Sequence, residues 1–346
     1  MPTNYALRTP IYASTSSSTT GIQSAKLLLN ITGQSNPVYT IIKQASSSTT
    51  VQFEIAELLR DYLNITYTYT PQKITFTSTI QFFDAVNGGG SAVGSAVATT
   101  SGDAFEAFGL FTDGINPILP FEGRTRPTWL LQVAVPNTPV TSYDDYYVFA
   151  PVGHSGTVTW IAYDGTVSAA TYNTTDTSIQ PSGAINLNIV RIDCTKYGEG
   201  RMVSFINKYG VMQDLWFFLK RVKNINRTNE SYQSNTLTNT TATSTPSYSE
   251  TDAPKKLFNT QAKQTNTLSS GYYPEWSNSY FEELLLSEYV WLTRPKVNSA
   301  ASTPLEETIP VIVKTSSMIY KTSLNDRLIE YTIDFEDAFD YINNIR

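Results

Sequence analysis

The sequence predicts a mainly β fold: tandem Ig-like or fibronectin-like β-sandwich modules with one or two short helices. Three observations predict it. The first is composition, with 34 Ser, 47 Thr, 22 Tyr and 16 Phe in 346 residues. Thr, Tyr, Phe and Val suit a pleated, half-buried surface. The second is spacing: short apolar runs recur between Gly-, Pro- and Ser-rich punctuation, as in sandwiches. The third is a pair of hairpin signatures. Asp164-Gly165 separates the runs 157–163 and 166–172, and Asn207-Lys208-Tyr209-Gly210 separates 202–206 and 211–217. Asp-Gly supplies the two positive-φ positions of a type I′ turn, and Gly210 supplies one.

Three modules are expected: 1–110, 111–195 and 196–346. In the first, residues 26–31, 38–43, 51–55, 65–69 and 74–83 read as strands. The stretch VQFEIAELLRDYL, 51–63, alternates at Val51, Phe53 and Ile55 and then shifts to helical spacing at Leu58, Leu59 and Tyr62. A strand running into one or two helical turns is predicted. Residues 87–109 are a small-residue run read as a flexible loop. A phosphate cradle would need a Gly-rich loop ending in Lys-Ser or Lys-Thr, and no Lys is present there.

In the second module, 117–127 is a proline-rich connector. Residues 185–192 form a strand in which Ile185, Leu187 and Ile189 alternate with Asn. In the third, residues 224–270 are Asn, Thr, Ser, Gln and Lys with few apolar side chains. Such a stretch buries too little to offset its ordering entropy. It is read as a long polar loop, either a surface excursion or an arm that orders against a partner subunit. SYFEELLLSEYVWL, 279–292, opens on a capping box from Ser279 to Glu282 and predicts a helix. Strands follow at 310–320 and 328–335, where Ile329, Tyr331, Ile333 and Phe335 alternate with polar residues. A helical turn or two is expected over 337–346.

One His and one Cys leave little from which to build the usual nucleophilic, acid–base or metal sites. His154 with Ser155, Asp144 or Asp145 could be drawn as a triad. No G-x-S-x-G elbow accompanies it, and PVGHSG reads as a turn. Cys194 reads as a small buried hydrophobe, and a single Cys forms no intrachain disulfide. Asp334, Glu336, Asp337 and Asp340 lack the spacing of a calcium loop and read as a solvated rim. Paired carboxylates could serve glycoside cleavage, but nothing in the sequence selects a pair. No catalytic, cofactor-binding or metal residue is assigned, and no enzyme is expected.

The net charge of −6 argues against direct nucleic-acid binding. No apolar run is long enough to span a membrane, and no signal peptide is read at the N-terminus. Six N-x-S/T sequons are about what the Asn, Ser and Thr content gives by chance, so they say nothing of glycosylation. Trp216, Phe217 and Phe218 precede Lys220, Arg221, Lys223 and Arg227. This basic-aromatic run is the candidate interface; its bland reading is core aromatics that close a strand, followed by solvated charges that begin an exposed loop.

Two blocks carry a resemblance. They are IDCTKYGEGRMVSFINKYGVMQDLWFFLKRVKNINRTNESYQSN and, from residue 270 to the end, SGYYPEWSNSYFEELLLSEYVWL with IPVIVKTSSMIYKTSLNDRLIEYTIDFEDAFDYINNIR. Together with FEIAELLRDYL they resemble structural (virion) proteins of tailed bacteriophages of Bacteroidetes and marine bacteria. The resemblance covers about half the chain, and residues 111–190 match nothing in it. It implies a virion component assembled in the host cytoplasm, with other virion subunits as partners, homo-oligomerisation and no catalytic residues. A tail, baseplate or fibre-attachment role leads. A capsid decoration or head–tail connector protein is the alternative within the virion. A receptor- or glycan-binding adhesin acting on a host-surface glycan is the alternative in another class.

Overall fold

The computed structural model describes residues 3–47, 50–70, 72–107, 144–161, 167–182, 185–192, 200–207, 210–237, 245, 247–295, 306–321 and 328–340. The connector 117–127, the Asp164-Gly165 turn, Cys194 and residues 341–346 lie outside them. The chain is mainly β, in several sheets, with two short α-helices among the described residues.

In the first unit, alternation in sequence becomes alternation in burial. Its strands are β1 (Thr3–Ala6), β2 (Tyr12–Ser16), β3 (Ser24–Ile31), β4 (Tyr39–Gln44), β5 (Thr50–Glu54), β6 (Lys73–Phe83) and β7 (Ala92–Phe105). Five form one sheet, ordered β1-β7-β6-β3-β4, with β1 parallel to β7 and the rest antiparallel. β2 and β5 form a separate ribbon. Along β6, Ile74, Phe76, Ile80 and Phe82 point inward with Ser78 between them. They meet Leu27 and Leu29 of β3 and Phe53 of the ribbon in one core. Helix α1 (Ala56–Arg60) follows β5 directly and seats Leu59 in that core. The Glu54 carboxylate accepts the Ala56 N–H (2.8 Å), serving a donor that a helix start leaves open.

Two expectations for this unit are corrected. Residues 65–69 form no strand. The Gln72 amide accepts the Thr66 N–H (2.8 Å) and donates to the Thr66 carbonyl (2.8 Å), taking the groups a neighbouring strand would use. Residues 87–109 are no loop over most of their length, because β7 occupies 92–105. Its small side chains give no period to read. The edge of β6 nevertheless offers a full ladder, and the pairing absorbs two register shifts.

The middle unit has β8 (Asp144–Pro151), β9 (Gly156–Ile161), β10 (Val167–Tyr172), β11 (Ser178–Ser182) and β12 (Ile185–Ile192). β9 and β10 pair antiparallel across the predicted hairpin. β12 runs parallel to β8 and antiparallel to β11.

The last unit has β13 (Arg201–Ile206), β14 (Met212–Phe217), β15 (Arg221–Gln233), β16 (Lys255–Ser269), β17 (Tyr273–Pro274), helix α2 (Asn278–Leu286), β18 (Val290–Pro295), β19 (Glu306–Val313), β20 (Leu328–Ile329) and β21 (Thr332–Asp337). Seven form an antiparallel sheet ordered β14-β13-β18-β19-β21-β16-β15. The predicted polar loop 224–270 is therefore mostly a long hairpin. Its backbone groups satisfy one another along β15 and β16, so it needs little burial to be ordered.

The predicted helix 279–292 begins one residue earlier and stops at Leu286. Ser287 turns extended, its hydroxyl bonds both backbone groups of Tyr289, and β18 then joins the sheet. No capping box forms: Ser279 lies inside the helix, and no side-chain cap precedes it. Strand β19 ends at Val313, short of the predicted 320, and 338–340 are not helical.

The core of the last unit includes Phe205, Leu215, Phe217, Tyr273, Phe281 and Phe335. Phe149, Leu187 and Ile189 of the middle unit belong to the same core, and Phe149 packs 4.8 Å from the Tyr273 ring. The boundary expected at 195/196 is thus crossed by a continuous hydrophobic core.

Candidate interaction surfaces

The structure divides the basic-aromatic run. Trp216 is half-buried with its ring edge-on to His154 at 5.0 Å. Its N–H donates to the Tyr273 hydroxyl (3.2 Å), and that hydroxyl donates back to its carbonyl (2.7 Å). Phe217 is buried against Phe335 and Phe281, at 5.6 and 6.4 Å. Phe218 is buried beside Tyr273, under Gly271. A Cβ on Gly271 would stand 2.2 Å from the Phe218 ring, and φ there is +82°. Phe217 and Phe218 are core residues, as the bland reading of the run has them, and not the interface residues of the other reading. Inward alternation places Phe217, and the missing Cβ of Gly271 makes room for Phe218.

Lys220, Arg221, Lys223 and Arg227 are exposed, three of them on β15. Every β15 residue is exposed, although the strand is hydrogen-bonded to β16 along its length. Among the described residues β15 is also a sheet edge. Across the ladder, β16 buries Ala262, Gln264, Asn266 and Leu268. An open cavity of about 490 Å³ lies there, with Arg201, Arg221, Lys223 and Arg294 around Gln264 and Leu268. Burial works against the Arg294 charge. Glu307 at 2.7 Å and Asp337 at 3.0 Å outweigh it and hold its pKa above the usual value.

A second surface joins the first and last units. Glu106 is 2% exposed and receives Arg8 Nε at 2.7 Å and Arg60 at 3.1 Å. Glu288, from the far end of the chain, pairs with the same two arginines. Burial pushes the Glu288 carboxyl up, but Arg8 and Arg60 prevail and hold it below the usual carboxylate range. The Gly210 turn fits closely over Phe105 and Glu106: a Cβ on it would lie 3.0 Å from the Phe105 Cβ.

Beside this cluster, Tyr67 packs edge-on to Trp291 at 5.7 Å. The Tyr69 hydroxyl donates to the Asp214 carboxylate at 2.9 and 3.0 Å, and the Ser204 hydroxyl donates to it at 2.5 Å. Burial pushes the Asp214 carboxyl up to about 6, with the Ser204 and Tyr69 hydrogen bonds opposing it. Burial and the neighbouring Asp214 charge raise the Tyr69 pKa as well. None of these seam residues was identified from sequence. Arg60 and Glu288 are 228 positions apart, Tyr69 and Asp214 145, and no local pattern links such positions.

The remaining candidates are placed as follows. Burial and the Arg191 charge lower the His154 pKa. The Arg191 guanidinium bonds the carbonyls of Pro151, His154, Asn173 and Asp176, tying two turns together. Ser155 is exposed, and the side chains of Asp144 and Asp145 lie outside the described residues. The C-terminal carboxylates are engaged separately. Asp334 accepts the Thr267 hydroxyl, Glu336 pairs with Lys263 and Lys314, and Asp337 pairs with Arg294. Asp340 is exposed.

Among the described residues, no helix is long and apolar enough to cross a membrane. No family model matches the chain, and no curated protein or solved structure matches it either.

Proposed function

We propose that the chain is a structural subunit of a tailed-phage virion, in the tail, baseplate or fibre-attachment region, acting through subunit interfaces. One observation carries the reading: a thirteen-residue edge strand, exposed throughout, that stays ordered by pairing with β16 alone over much of its length. Surface of that kind is suited to gripping a neighbour. The blocks at 192–235 and 270–346 that resemble phage virion proteins support it; they include β15 and the last sheet's other strands except β16. The covered faces of the sheets suit sandwich modules of the Ig or fibronectin kind. No catalytic role is proposed for any residue.

The test is a cryo-EM map of the intact particle with this chain traced in it. Density in the tail or at its base is the expected result. Density spread over the capsid lattice would replace the reading with a decoration protein, and absence from every particle would end it. The adhesin reading draws on exposed rings, among them Tyr272 and Trp276. Retention of the isolated protein on a glycan array would support that reading.

A further inference from the structure

We propose that the projecting end of the β15–β16 hairpin docks into a groove on a second copy of this chain, head to tail. The inference rests on the assembly reading above and names the partner and the contact.

The hairpin leaves the sheet. β21 pairs with β16 only from Thr265 to Ser269. Residues 255–264 continue with β15 as their only strand partner among the described residues. Ala262 and Gln264 are still buried and Lys263 still pairs with Glu336, so the projecting part is residues 255–261, about 23 Å at 3.3 Å per residue. Near the far end, Tyr232 and Phe258 are each 48% exposed with ring centroids 6.4 Å apart. Leu257, Lys255 and Lys256 are exposed beside them. Paired rings with a cationic rim have the composition of an interface anchor.

A matching groove lies elsewhere on the last unit. It has a volume of about 460 Å³, and Leu285, Met318, Ile319 and Ile333 supply its apolar lining. Ile319 is 81% exposed. Glu330 lies in the lining, and Glu282 stands alongside, accepting the Tyr320 hydroxyl. The one lysine of the lining, Lys321, donates to the Glu330 carbonyl (2.6 Å) and lies over the Tyr331 ring. Apolar walls with carboxylates at the rim complement rings flanked by lysines.

Charge favours another copy of the same chain. From Lys220 to Lys263 there are seven Lys and Arg against three Asp and Glu, within a chain of net charge −6. The rest of the molecule is therefore strongly acidic, and the arm is its basic counterpart.

Geometry makes the contact intermolecular. Ile333 of the groove is paired with Leu268, twelve residues along β16 from Lys256. That is about 40 Å of extended strand, so a tip cannot reach its own groove. Edge-to-edge pairing of two β15 strands would bring together two edges that each carry Arg221, Lys223 and Arg227, which like-charge repulsion disfavours. The remaining arrangement is heterologous, and it closes into a ring or propagates as an open chain.

Sedimentation velocity on the purified full chain over a concentration series tests this. The wild type is expected to self-associate, more weakly as salt rises. The double variant Lys255→Glu/Lys256→Glu and the single variant Ile319→Asp should each weaken association by about tenfold or more. Circular dichroism should show both still folded. Mixing the lysine variant with Glu282→Lys/Glu330→Lys should restore association between the two. A wild type that stays monomeric throughout overturns the inference, even where the particle map finds the chain in the virion. So does unchanged association of Ile319→Asp, which would mean a different contact. A self-associating chain absent from every particle would instead overturn the phage reading and leave this contact standing.

Discussion

The pairs β6–β7 and β15–β16 are the two longest antiparallel ladders among the described residues, and they are held in opposite ways. β6 buries alternate residues under the β2–β5 ribbon and α1, so its ladder has a core behind it. β15 buries none of its residues. Its order comes from backbone hydrogen bonding to β16, which is anchored in the body only over its last residues. A ladder can therefore form without burial where one strand is tethered to a sheet. Stability and exposure then separate: the first unit contributes fold, and the hairpin contributes surface.

That contrast can be tested by substitution, beginning where the effect is largest. Phe281→Ala removes a fully buried ring from the core shared by the middle and last units and should cost about 3–5 kcal/mol in urea unfolding. Phe76→Ala should cost a similar amount in the first unit. By contrast, Ile225→Ala on the hairpin should fall within about 0.5 kcal/mol of wild type. A hairpin cost as large as the core cost would mean that β15 is packed.

Gly271→Ala should come next, at about 2–3 kcal/mol, since the new methyl meets the Phe218 ring and φ is positive. Thermal unfolding measures it. A neutral result would mean that Phe218 is free to move aside.

The seam supplies a pH test. The Asp214 carboxyl titrates near 6 when folded, against 3.8 in the unfolded chain. The folded state therefore binds the extra proton, and the associated stability is present below about pH 4 and is lost as pH rises through 6. Replacing Asp214 with Asn should remove that component, about 2–3 kcal/mol. The comparison is the wild-type-minus-variant difference in unfolding free energy between pH 4 and pH 7. Parallel pH profiles for the two proteins would show that Asp214 does not titrate there.

The smallest expected effect returns to the hairpin. Replacing residues 228–261 with Asn-Gly joins Arg227 to Ala262, which already face each other. The melting temperature of the body should move by no more than a few degrees. Loss of cooperative unfolding would show that the hairpin helps to hold the last sheet.

The legibility of the chain follows the same division. β6, β12, β13 and β14 were readable because their alternating apolar residues face a core. β7 and the β15–β16 hairpin were not. Ala, Ser, Gly, Asn and Thr carry no burial signal, and what orders them is a hydrogen-bonding edge supplied by a neighbouring strand. The end of α2 was misread because Leu285 and Leu292 look continuous, whereas the second lies on a strand between β13 and β19. The basic-aromatic run read either as an interface or as core aromatics ending in solvated charges, and the sequence could not choose between the two for Phe218. That depended on Gly271, 53 positions later.

The sequence by itself determined the β class, the turn positions and most core strands, because these depend on a period of two and on residues near one another. Only the tertiary structure decided the continuous core across 195/196, the Arg8–Arg60–Glu106–Glu288 seam and the projecting hairpin. Each depends on groups brought together by the fold, at separations over which neither propensity nor periodicity carries information.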